Sequence, residues 1–208
     1  MTPLRCFQDA WERCATLSQL HAFAAAHIAN ALRKEELLRA EWAARVSALD
    51  LYVHEKVAQG LLQIFVGSKP STPAFERFSI PNSVLMRIRN AGGQAQQYAA
   101  FDFEVRRQLS LVSYQYPEAI ADGIRLISST ELWKEIALHH GSSPQTAIAD
   151  AKTLKGQLKM VVERRNKIVH EGDMQPSFPR AVWAISPQDL TIVREVIEKV
   201  VAGIEAVA

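Results

Sequence analysis

Hydrophobic residues recur at three- and four-residue spacing along most of the chain, the period of helices that bury one face. The longest such stretch covers residues 35–65, where Leu38, Trp42, Leu49, Val53, Val57, Leu61 and Ile64 form one row. A second row, Leu190, Val193, Ile197, Val200 and Ile204, marks a last helix opened by Ser186-Pro187-Gln188-Asp189. A first helix is expected from Pro3 to about Asn30, with Thr2 as N-cap. The proline-rich segment 67–81 breaks the pattern as a loop. Shorter helices are expected over 82–90, from 94 to about 114, and from Pro117 to Ile127. Another runs from Thr130 to His140, where Ser128 and Glu131 read as a capping box. A long helix opens at Ser143-Pro144 and ends near Gly172, and the loop 172–185 follows. Alternating strand patterns are nearly absent. The expectation is an all-α fold, an antiparallel helical bundle of one domain spanning 1–208, with two dominant hairpins and additional short helices.

Composition narrows the function classes. The chain has 208 residues, 48% of them hydrophobic, enough for one sizeable core. Lys and Arg number 24 against 22 Asp and Glu, so a nucleic-acid surface has to be a local patch. Cys6 and Cys14 stand eight residues apart, roughly 12 Å on a helix, too far to bridge. A reduced, cytoplasmic protein is expected, without signal peptide or membrane span.

The local patch lies in residues 152–170. There Lys152, Lys155, Lys159, Arg164, Arg165 and Lys167 face a single acid, Glu163. Arg165 falls within the apolar face, about 40° or less from Leu158, Val161 and Val169 at 100° per residue. A guanidinium aimed at a core keeps its charge and must find a carboxylate or a phosphate. His170 follows five residues later, roughly 140° round a straight helix. Convergence of the two needs an unwound helix end near Gly172 or a second copy of the chain.

Arg165-Asn166-Lys167-Ile168-Val169-His170 matches the R-x4-H signature of HEPN domains, including Asn after the Arg. The flanks, VVERRNKIVHEGD, resemble the branch that groups RNase L-like and bacterial defence HEPN proteins, often called RiboL-PSP-HEPN. Residues 43–57, with Asp50, Tyr52 and His54, resemble that branch's second helix. The resemblance covers about residues 35–208. It implies a homodimer whose R-x4-H segments share a cleft, and endoribonuclease activity that needs no metal or other cofactor. It further implies a toxin or antiviral-defence role, with an antitoxin or sensor protein as a further partner. In that reading His170 is the general acid or base, Arg165 holds the scissile phosphate, and Asn166 positions one of them. Arg164, Lys167 and Lys159 are candidate RNA contacts, and Asp50 and His54 candidate cleft residues.

Other readings of the same residues stay open at this stage. Arg165 fits a structural ion pair with Asp50, Asp102 or Glu104. His170 fits an interaction with the last helical carbonyls. Asp50 and His54, four apart, fit an ordinary hydrogen-bonded pair. A HEPN domain kept only for dimerisation or RNA binding is the alternative function. Zinc-protease, P-loop and nucleophile-elbow patterns are missing: His54-Glu55 is followed by Ala58 where the second His would stand. His139-His140 lack a ligand partner at metal spacing.

Overall fold

The computed structural model describes residues 1–28 and 33–208. Among them are eight α-helices and no strand, with one isolated antiparallel bridge between Met174 and Val182. The helices are α1 (Pro3–His27), α2 (Glu35–Phe65), α3 (Asn82–Arg89), α4 (Gln94–Leu109), α5 (Pro117–Arg125), α6 (Leu132–His139), α7 (Ala147–Glu171) and α8 (Pro187–Val207). The fold is an all-α helical bundle built on α2, which packs against α1, α4, α5, α7 and α8.

The apolar rows meet as the spacing requires. Val46, Leu49, Val53, Val57 and Leu61 of α2 are buried with Leu158 and Val162 of α7 and Val193, Ile197 and Ile204 of α8. Each such side chain contributes about 1.5–3 kcal/mol by leaving water. Glycines in α2 and α8 let neighbouring segments come unusually close. A Cβ on Gly60 would sit 2.6 Å from the Ile127 side chain, and one on Gly203 would sit 2.6 Å from Ile136.

Helix ends follow local chemistry. The Thr2 side chain accepts from the Arg5 N–H, and Ser186 with Asp189 forms the expected capping box. The expected end of the first helix, at 29–30, lies outside the described residues. Three boundaries differ from the sequence pattern. α4 stops at Leu109 rather than near 114. Beyond it, Asp50 of α2 accepts the Tyr114 N–H at 2.5 Å and holds 114–116 as an extended entry to α5. The Ser128–Glu131 box does not form: Ser128 bonds Thr130 instead, and Glu131 caps α6 with no side-chain bond. Ser143 and Pro144 form a turn ahead of α7, closed by the Ala147 N–H on the Ser143 carbonyl.

Candidate active site at the end of helix α7

α7 remains helical through Glu171 and is closed by Gly172, whose φ of 63° is the left-handed conformation that glycine adopts without strain. Asp173 follows at φ 54°, and its N–H bonds the Lys167 carbonyl at 2.9 Å. This turn sends the Asp173 carboxylate inward, where it is fully buried. Two arginines meet it. Arg39 of α2 donates from Nε at 3.0 Å, and Arg164 donates from Nη2 at 2.9 Å with its Nε 2.8 Å from the other oxygen. The same guanidinium groups donate to the carbonyls of Trp183 and Ala184, and Arg164 lies over the Trp42 and Trp183 rings. Arg164, one of the expected RNA contacts, is therefore engaged in a clamp that fastens the 172–185 loop to α2 and α7.

Arg165, the next residue, has no such partner. It is half-buried; Nη1 donates to Asn166 Oδ1 at 3.0 Å, while Nε is buried with no hydrogen bond. Among the described residues no carboxylate lies at ion-pair distance from it. The three acids weighed as partners are engaged elsewhere. Asp50 takes Tyr114 and Gln115, Asp102 takes Arg106, and Glu104 takes Arg107 and Gln108. The last two bonds hold the Glu104 carboxyl down at about 2.

Asn166 passes the connection on: its Nδ2 donates to the Tyr116 hydroxyl at 3.1 Å. Tyr116 is the N-cap of α5, on the segment that Asp50 fixes. Asp50 and His54 thus lie one step behind this chain, with His54 Nε2 3.6 Å from Asp50 and its ring edge-on to Tyr114 at 4.8 Å. No described bond joins them to Arg165 or His170. Burial, with the Asp50 charge added, pushes the Tyr114 phenol up to about 12. His170 is exposed and makes no hydrogen bond or ion pair among the described residues. Lys167 and Lys159 are exposed, the latter 3.8 Å from Glu163.

Because α7 does not unwind before Gly172, Arg165 and His170 leave the helix roughly 140° apart. The Asn166 bond draws the Arg165 guanidinium part of the way back. Tyr116 and Asp173 are the site-shaping residues that sequence reasoning passed over. A tyrosine ahead of Pro117 and an acid after a helix-ending glycine carry no periodic signal.

Comparison of the chain with family models, curated proteins and solved structures gave no match. Among the described residues no helix is long and apolar enough to cross a membrane, and no three His, Cys, Asp or Glu side chains gather as a metal site would need.

Proposed function

We propose that the chain is a HEPN-type endoribonuclease that cleaves RNA without a metal ion, through a site at the end of α7 shared by two copies of the chain. The observation that carries this reading is Arg165. A half-buried guanidinium with no counter-carboxylate among the described residues is a charge left open to an anion, and a phosphodiester is the anion its planar donors suit. An exposed His170 stands about one and a half turns further on, with no hydrogen bond or ion pair among the described residues. The R-x4-H resemblance names these two residues together.

The chemistry is transesterification. The RNA 2′-oxygen bonds to phosphorus, the bond from phosphorus to the 5′-oxygen breaks, and a 2′,3′-cyclic phosphate and a 5′-hydroxyl result. The proton leaving the 2′-hydroxyl and the proton reaching the 5′-oxygen are the transfers an imidazole performs near neutral pH. Arg165 neutralises charge on the non-bridging oxygens, held in place by Asn166 and, through it, Tyr116. The divergence of Arg165 and His170 on a straight helix makes the site composite: Arg165 of one copy faces His170 of the other. A toxin or defence effector restrained by another protein fits an RNase of this kind.

The same divergence favours a second reading, a domain that binds RNA or a second copy without cutting. Purified wild type and His170→Ala incubated with total RNA in excess EDTA separate the two. Wild-type cleavage leaving 2′,3′-cyclic phosphate ends, with DNA untouched and the variant inactive, is the expected result. Equal cleavage by both proteins, or loss of cleavage on chelation, would remove the mechanism.

A further inference from the structure

A wide concavity of the protein lies away from His170. It is a groove of about 1040 Å3 along the N-terminal half of α7, walled by α5, α6 and the 73–77 loop. Five cationic side chains line it: Arg77, Arg125, Lys134, Lys152 and Lys155. Arg125 pairs with Asp122, and Lys134 pairs with Glu131, the one acid of the lining. Arg77, Lys152 and Lys155 have no ion pair among the described residues. A concave surface with this excess of cations concentrates a polyanion.

The groove and the candidate active site share two helices. α5 is preceded by its N-cap Tyr116, bonded to Asn166 late in α7, and ends with Ala121 and Arg125 in the groove wall, near Lys152 and Lys155 early in α7. α5 therefore lies antiparallel to α7 and spans from one place to the other. On α7 itself, 100° per residue puts Lys152, Lys155, Lys159, Asn166 and His170 within about 60° of one another, with His170 in line with Lys152. Glu163, the acid on that stripe, is 3.8 Å from Lys159. The stripe is about 27 Å long, the length of roughly eight stacked nucleotides.

We infer that a single RNA strand runs along this stripe, its phosphates held in the Arg77–Lys152–Lys155 groove while the scissile bond sits at the His170 end. The inference rests on the nuclease reading for what happens at that end; the groove contacts do not depend on cleavage. The ligand class is a phosphodiester strand of about eight nucleotides or more, held by charge along its backbone rather than by base identity.

The test uses fluorescein-labelled 2′-O-methyl RNA, which lacks the attacking hydroxyl, in lengths from four to 12 nucleotides. Binding is read by anisotropy over a range of salt, beside cleavage of the unmodified 12-mer. Wild-type affinity is expected to climb up to about eight nucleotides and then level off. Lys152→Glu/Lys155→Glu should raise the Kd for the 12-mer at least tenfold, flatten that climb and lower the salt slope by about 1.4. Arg13→Glu/Arg89→Glu, matched in charge and placed on α1 and α3, should change the Kd less than threefold. Thermal melts of both pairs within a few degrees of wild type exclude unfolding as the cause. Equal weakening by both pairs, or less than threefold weakening by the groove pair, overturns the proposal. Displacement of RNA by poly-glutamate of equal charge overturns it in favour of an acidic protein segment. If the groove pair weakens binding but wild type does not cut the 12-mer, the nuclease reading fails and the track stands. If wild type cuts and the groove pair binds and cuts as wild type does, the track alone fails.

Discussion

Arg164 and Arg165 are neighbours on one helix with opposite electrostatic situations. Arg164 meets a fully buried carboxylate, one backbone carbonyl and two indole rings. Arg165 meets one amide oxygen and, among the described residues, no acid. The first is a structural charge, neutralised within the chain. The second is a charge the fold holds in position and leaves uncompensated. Adjacent arginines in a basic run are thus not equivalent: the Asp173 carboxylate reaches one and not the other.

Breaking the clamp should have the largest effect. Asp173→Ala leaves Arg39 and Arg164 facing each other without their anion, and should cost about 3–5 kcal/mol of stability in urea unfolding. Asp173→Asn, which tolerates the positive φ, should cost less. Arg165→Ala sharpens the contrast from the other side. Stability should change by no more than about 1 kcal/mol, while RNA cleavage falls about 10²–10³-fold. Should Arg165→Ala unfold the protein as readily as Arg164→Ala, the two arginines are alike and the comparison fails.

Tyr116→Phe removes the acceptor for Asn166 and should cost about 0.5–1.5 kcal/mol. Its effect on cleavage should stay below about tenfold, since it acts on Arg165 only through Asn166. The smallest effect concerns Tyr114, on the segment that positions Tyr116. Its phenol is raised in the folded state, to about 12, so the neutral form is favoured there. That contribution is complete below the unfolded value near 10 and is lost as pH rises through 10 to 12. An alkaline spectrophotometric titration should show two late tyrosines, Tyr114 and the more deeply buried Tyr52, and Asp50→Asn should bring Tyr114 alone earlier by removing a like charge.

The helices were legible wherever one face had to be buried. Residues 35–65 and 187–207 carry unbroken apolar rows, and α2 and α8 match them closely. Boundaries set by contacts distant in sequence were not legible. α4 ends early because Asp50, 64 residues before Tyr114, takes that residue's N–H. Periodicity has no access to such a bond. The Arg165 signal, a cation inside an apolar face, was also less specific than it looks. Arg45 and Arg39 of α2 are more deeply buried, one balanced by Glu41 a turn away and the other by Asp173, 134 residues on. Only three-dimensional placement distinguishes a cation with a hidden acid from one without.

The proposed composite site is tested most directly by mixing two inactive variants. Arg165→Ala and His170→Ala are each expected to be inactive alone. Combined and allowed to exchange subunits, they form a mixed dimer in which one cleft contains both Arg165 and His170. RNA cleavage in EDTA should then return to about a quarter of the wild-type level, half of the dimers each carrying one of two sites. A mixture that remains as inactive as its components, while the variants demonstrably exchange subunits, would contradict a site shared between two copies.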